Sequence, residues 1–255
     1  MSDDDIALVA RLADVAGEVI RPFYRRPFAI QTKADKSPVT EVDRAVEAAI
    51  RAILAEARPD DGVIGEEYGA DRPEAPRVWV IDPIDGTRAF LAGRPLFGTL
   101  IALLEESVPV LGLIDQPIAR DRWVGARGLP TTLNGVPAAK RACPTLATAH
   151  LATTGPSYFD ATGWASFERL RAECRDTLWG GDCHNYGLVA SGHLDLVVEA
   201  GLKLYDFAAL VPVVEGAGGR MTDWEGCPLG QHSDGRVIAA GDARLIEPTS
   251  ALLLG

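Results

Sequence analysis

The chain has 255 residues, 47% of them hydrophobic, and its 36 Asp and Glu outnumber 25 Lys and Arg for a formal charge of -11. Such a length and composition suit one large domain or two closely packed halves with a real core. The acidic balance argues against a nucleic-acid backbone or an anionic membrane as partner, because both call for clustered basic residues, and an anionic substrate then needs help from cations. The acidic start Asp3-Asp4-Asp5 lacks the basic and apolar segments of a signal peptide. No apolar run reaches about 18 residues, so a cytoplasmic protein is expected. Cys143, Cys174, Cys183 and Cys227 are dispersed without a C-x-x-C pair, which excludes zinc-ribbon and thioredoxin readings and leaves reduced thiols.

Apolar residues at Ile6, Val9, Ala10, Ala13, Ala16 and Ile20 recur at helical spacing and predict a first amphipathic helix reaching about Tyr24. A polar, proline-broken stretch over residues 32–40 follows, and the helical period resumes over 42–54, with Thr40 or Ser37 as cap. Asp43 would lie in the first turn of that helix, where an acid often has structural value only. Short apolar runs at residues 63–64, 78–81, 99–104, 108–114 and 122–125 read as strands. The last four leave no room for helices between them, which predicts an antiparallel meander with Glu105-Glu106-Ser107 as a hairpin tip.

From about Ala147 strands alternate with helices: a strand to Thr153, a helix over 163–172, a strand near Leu178, a helix over 185–191 and a strand over 194–198. The expected organisation is therefore an N-terminal half, residues 1–135, and a C-terminal α/β half, residues 136–255. A helix over 207–214 runs into Gly216-Ala217-Gly218-Gly219, which reads as a helix C-terminus and turn rather than a nucleotide loop. Neither a P-loop nor a G-x-S-x-G elbow occurs, and His150, His184, His193 and His232 show no metal-ligand spacing.

The most informative stretch is Trp79-Val80-Ile81-Asp82-Pro83-Ile84-Asp85-Gly86-Thr87. An apolar strand is expected to end at Asp82-Pro83, since proline lacks the N–H a ladder needs. Asp82 and Asp85, with the Ile84 carbonyl between them, offer hard oxygen ligands to a cation such as Mg2+. If a short helix starts at Gly86-Thr87, its first N–H groups favour a phosphate. Taken alone, Asp-Pro-x-Asp-Gly suits a simple polar turn equally well. Two further acidic stations tip the balance: Gly65-Glu66-Glu67 and Leu204-Tyr205-Asp206-Phe207-Ala208-Ala209.

Together these stations resemble the inositol-monophosphatase superfamily, whose patterns are G-E-E, D-P-[IL]-D-G-T and W-D-x-A-A, and the likeness runs in order along nearly the whole chain. The resemblance implies a layered αβαβα sandwich with an antiparallel sheet in its N-terminal half, two or three Mg2+ ions, a small phosphorylated substrate and a homodimer. It assigns Glu66, Asp82, the Ile84 carbonyl, Asp85 and Asp206 as metal ligands, with Asp43 near a further, weaker ion. Gly86 and Thr87 would bind phosphate, and Glu67 with Thr87 would organise the attacking water. Lys36-Ser37 with Thr40 and Asp43 is similar to another of the family's stretches, though shorter.

Departures from the inositol-phosphatase pattern point to one branch. Asp-Gly-Thr-Arg-Ala-Phe brings Arg88, Tyr205 and Leu210 replace the usual Trp and Gly, and Gly180-Gly181-Asp182-Cys183 with the stretch 198–203 completes a set similar to histidinol-phosphate phosphatases. Histidinol phosphate carries an ammonium and an imidazole, so acidic contacts beyond the metals are expected. Glu199, Asp182 and Arg88 are the substrate-binding candidates, although Asp182 equally suits a helix cap. His184 precedes the helix that faces the site in this family. The competing substrates are inositol 1-phosphate or another small phosphomonoester, and a non-catalytic binding protein is the alternative of a different class.

Overall fold

The computed structural model describes residues 3–27, 30–32 and 38–255. In chain order the elements begin with α1 (Asp3–Ile20), β1 (Ile30–Thr32), β2 (Pro38–Thr40) and α2 (Glu41–Ala57). The first large sheet draws on β3 (Gly62–Gly65), β4 (Gly69–Asp71), β5 (Arg77–Asp85), β6 (Gly98–Glu105), β7 (Val108–Gln116), β8 (Asp121–Ala126), β9 (Thr132–Leu133) and β10 (Val136–Pro137). The short helix α3 (Thr87–Leu91) leaves β5. Then come β11 (His150–Thr153), α4 (Ala161–Glu173), β12 (Asp176–Trp179), α5 (Cys183–Ala190) and β13 (Leu196–Glu199). The chain finishes with α6 (Leu204–Phe207), α7 (Leu210–Gly216), β14 (Arg220–Thr222), β15 (Val237–Ala240) and α8 (Ile246–Leu254).

Five layers result. Along β5 side chains alternate, so Trp79 and Ile81 face α1 and α2 while Val78 and Val80 face α5 and α7, and the strand is apolar from Val78 to Ile81 because both of its faces are covered there. The far side of the central helices meets the second sheet through Val197, Val237 and Ala239. That sheet's outer face, with Leu196, Val198 and Ile238, packs on Phe167 and Leu170 of α4 and Leu253 of α8. The expected αβαβα sandwich is the observed one.

The meander over β5, β6, β7 and β8 is antiparallel throughout, and Glu106 and Ser107 form its first tip at φ 48° and 65°. The sheet as a whole is mixed, however, because β3 pairs in parallel with β5 while β4 folds back on its outer edge. The hairpin excursion through β4 provides the length such a crossover needs. The second sheet, in the order β12-β11-β13-β15-β14, is parallel on one side and antiparallel on the other.

Two further differences from sequence expectation bear on the site. β5 continues through Pro83 to Asp85 by way of a register shift against β6, and Thr99 Oγ1 donates to the Pro83 carbonyl at 2.8 Å. A bulge absorbs the proline without ending the strand. The helix expected over 207–214 is two helices, α6 and α7, and its backbone lies directly on the first sheet. A Cβ on Gly112 would fall 1.9 Å from the Ala209 carbonyl oxygen, and one on Gly125 2.2 Å from that of Pro212. Glycine at these positions of β7 and β8 is what lets the segment carrying Asp206 approach the sheet whose strand β5 carries Asp82 and Asp85.

Candidate active site

β5 delivers Asp82 and Asp85 to the edge of a cleft of about 360 Å³. The Asp82 carboxylate turns back to accept the Ile84 N–H at 3.0 Å, which fixes the bulge and leaves the Ile84 carbonyl to accept from Thr87 Oγ1 at 3.1 Å. Gly86 follows at φ 85°, a left-handed conformation that glycine adopts without strain, and opens α3. Asp206 arrives from α6, held by the Lys203 N–H at 2.6 Å. Asp85 is held by the N–H of Cys183 at the start of α5, also at 2.6 Å.

Carboxylate oxygens of Asp82, Asp85 and Asp206 all lie within 4.8 Å of one another. Glu66, at the end of β3, lines the same cleft without joining that cluster. Burial, and then the neighbouring Glu66, Asp85 and Asp206 charges, push the Asp82 carboxyl well above the usual carboxylate range. Burial followed by Asp182 and Asp206 does the same to Asp85, and burial raises Asp206 to about 7. Mutually repelling carboxylates in a half-dry cleft are stabilised by a bound cation, and an all-oxygen set of this kind suits a hard divalent ion.

Asp43 has two relations at once. Its Oδ2 accepts from the Thr40 N–H at 2.8 Å and from the Thr40 hydroxyl, while Thr40 Oγ1 accepts from the Val42 and Asp43 N–H groups, a complete capping box for α2. Its Oδ1 is buried without a hydrogen-bond partner among the described residues, and burial, with Glu66 adding repulsion, raises the carboxyl pKa. An orphaned buried oxygen facing a second acid also fits a cation. Lys36 and Ser37 lie outside the described residues.

Glu67 is not the exposed acid that an isolated reading allows: its side chain is 3% exposed, with Arg44 Nε 3.9 Å away. Neither Glu67 nor Asp43 is among the residues lining the cleft. The Glu66-Glu67 turn is set by Glu47, which sequence reasoning missed. This wholly buried carboxylate of α2 accepts the Glu67 N–H at 2.7 Å and the Tyr68 N–H at 3.2 Å, and pairs with Arg51 Nε at 2.8 Å. In sequence Glu47 and Arg51 read as an ordinary i,i+4 surface pair, and only the apolar residues flanking them on α2 hint at burial.

The rest of the cleft carries Thr87, Arg88, Asp182 and Glu199. Asp182 occupies the N-cap position of α5 but makes no side-chain capping bond; a Cβ on Gly86 would lie 3.1 Å from its carboxyl carbon. Burial raises its pKa to about 6, with Arg88 opposing. The Arg88 guanidinium stacks over the Tyr158 ring at 5.7 Å. Glu199, at the end of β13, accepts the N–H and hydroxyl of Thr154 at 2.8 and 2.9 Å, and burial still raises its pKa to about 8. His184 turns away from the cleft: its Nδ1 lies 2.7 Å from Gln116 Oε1, and its ring meets Trp123 edge-on.

A five-layer fold with carboxylates converging from β5 and α6 beside a glycine-opened helix defines a class of cation-assisted phosphate chemistry. The sequence matches the inositol monophosphatase family model over residues 2–253. It is 50% identical over 241 residues to the bifunctional phosphatase IMPL2, chloroplastic, of Arabidopsis thaliana, covering 91% of this chain and 70% of that protein. Identity to the histidinol-phosphatase of Mycobacterium tuberculosis is 39% over 248 residues, or 94% of this chain and 95% of that one. A solved inositol monophosphatase from Zymomonas mobilis superposes with a TM-score of 0.92 at 58% identity, covering 100% of both chains. The chain belongs to the inositol monophosphatase family. It is accordingly a phosphatase of a metal-dependent family, acting on a small phosphorylated substrate, and no helix among the described residues is long and apolar enough to cross a membrane.

Proposed function

We propose that this phosphatase hydrolyses histidinol phosphate to histidinol and phosphate with two or three Mg2+ ions. The observation that carries the reading is the pair of buried acids in the cleft besides the carboxylate triad. Glu199 and Asp182, with pKa values raised to about 8 and about 6, are a poor match for a neutral polyol and a good one for a substrate bearing an ammonium and an imidazole. Identity to histidinol-phosphatases supports it.

In this reading Glu66, Asp82, the Ile84 carbonyl, Asp85 and Asp206 hold the cations, with Asp43 beside a weaker one. Bound divalent cations supply Lewis acidity that offsets the charge of phosphate and leaving oxygen and lowers the pKa of water. Gly86 and Thr87 N–H groups bind phosphate oxygens. Thr87 Oγ1 donates its hydrogen bond to the Ile84 carbonyl, so it offers lone pairs to a water's hydrogen, and Glu67 assists in ordering that water. Arg88, stacked on Tyr158 and opposed to Asp182, completes the wall that meets the organic part.

The test is phosphate release from histidinol phosphate and inositol 1-phosphate in Mg2+, for wild type and Glu199→Gln. Losing a charged hydrogen bond of roughly 1.5–3 kcal/mol should shrink the ratio of kcat/KM by about one to two powers of ten. Because Glu199 must ionise to meet a cation, kcat/KM for the cationic substrate should rise with pH toward about 8. A preference persisting at alkaline pH identifies the ammonium, not the imidazole, as the group read. Equal kcat/KM for both substrates in the wild type refutes the assignment. A second reading, inositol 1-phosphate, is favoured by the 58% identity with the Zymomonas mobilis inositol monophosphatase, and predicts that equality or its reverse.

A further inference from the structure

A second cavity, of about 590 Å³, opens where the ends of β7 and β8 meet the segment after α1 and the β9–β10 turn. It shares no lining residue with the cleft. In a chain of net charge -11 it gathers three arginines, Arg21, Arg120 and Arg122. Arg122 is already engaged: Nε donates to Asp115 at 2.6 Å and Nη2 to Asp14 at 2.8 Å. Arg21 and Arg120 are exposed and make no ion pair or hydrogen bond from their side chains among the described residues. Asp115 and Asp14 are bonded to Arg122, and the neighbouring Asp121 accepts from Asn134 Nδ2 at 3.3 Å, so Arg21 and Arg120 are the guanidinium groups of this wall left without an ion pair among the described residues.

Behind this wall lies a buried amide. Gln116 is fully buried, its Oε1 is occupied by His184 Nδ1 at 2.7 Å, and its Nε2 has no partner among the described residues. The Arg120 N–H closes the turn onto the Gln116 backbone carbonyl at 2.8 Å, so the free arginine and Gln116 belong to one turn. Pro117 and Val124 supply apolar surface. The volume lies in the range of small-molecule sites and is far larger than a bare phosphate needs.

We propose that this cavity is a second ligand site, for a small organic molecule with a phosphate or carboxylate group held by Arg21 and Arg120 against the Arg122-Asp115-Asp14 wall. Forked guanidinium donors suit either oxyanion. Occupancy would be sensed at His184 on α5 through Gln116, and the preceding residue, Cys183, holds Asp85 in the cleft.

The experiment uses the full chain in chelator, where the acidic cleft repels anions, at constant ionic strength. Inorganic phosphate and malonate are titrated separately, with calorimetry and the ring resonances of the four histidines as readouts. Saturable binding that shifts His184 and weakens about ten-fold or more in the R21A/R120A double variant is expected. Binding of phosphate assigns a phosphorylated ligand and binding of malonate a carboxylate, and either supports the site. Binding of neither probe, or binding that leaves His184 unmoved and persists in the double variant, overturns it. Both arginines are on the surface, so the variant keeps the fold, which circular dichroism verifies.

Discussion

Replacing Asp206 by Asn should make the metal-free protein more stable while removing its response to cations. The Asp206 carboxyl is raised from 3.8 to about 7 by burial and by the charge of Glu66, so below about pH 4 it is protonated in both folded and unfolded chains and costs nothing. Between about 4 and 7 the unfolded chain ionises it while the folded one keeps the proton, and native stability falls as pH rises; above about 7 the full penalty is present. At about 1.4 kcal/mol per pH unit that interval amounts to roughly 4 kcal/mol. Asp206 keeps an exposed edge in the cleft, and solvent screening there lowers the expectation to about 2 kcal/mol. Asn retains an oxygen for the Lys203 N–H at 2.6 Å, so that bond is not lost.

In chelator at pH 8 the variant should therefore melt about 4–8 °C above wild type, taking about 2–4 °C per kcal/mol for a chain of this size. At pH 4 the two should coincide. Saturating Mg2+ should reverse the order, since a ligand that binds the folded state alone stabilises it by mass action. Thermal unfolding followed by circular dichroism at both pH values, with and without Mg2+, measures all of this. A variant that melts below wild type in chelator at pH 8 would show that the carboxylates are not held against their own repulsion, and the argument for a cation site would fail with it.

Glu47→Gln should cost about 3 kcal/mol in urea unfolding, because a buried acceptor of two N–H groups and an arginine is replaced by a neutral amide, and activity should drop as the Glu66-Glu67 turn loosens. Unchanged kcat would mean that Glu47 serves the fold alone. Gly86→Ala meets both a φ of 85° and the Asp182 carboxyl carbon at 3.1 Å; steady-state kinetics should show kcat/KM falling about five- to thirty-fold, by about the 1–2 kcal/mol such strain costs. Thr87→Ala should lower kcat more than it raises KM, with Thr87→Ser restoring most of it, whereas a pure KM effect would make the hydroxyl a ground-state phosphate contact.

Much of this protein is written locally. The alternation along β5, the capping box at Thr40 and Asp43, the Glu106-Ser107 tip and the Gly86 helix start each depend on a few neighbouring residues, and strand pleat, helix period and turn chemistry act over that same short range. The acidic stations were legible for the same reason, as carboxylates placed at the ends of predictable elements. Tertiary structure decided the rest. Pro83 argued for a strand end until β6 supplied Thr99 to hold a bulge. Asp182 suited a cap until packing set its carboxyl against Gly86, and Glu47 looked solvated until α2 buried it under β3. The convergence of Asp206 on Asp82 and Asp85 rests on Gly112 and Gly125 admitting a distant backbone to the sheet, and the Cys183 N–H reaches Asp85 only because α5 lies in the layer between the sheets. These contacts join segments far apart in the chain, so no local preference encodes them; they form only when burying the apolar faces of both sheets fixes where the helices between them must lie.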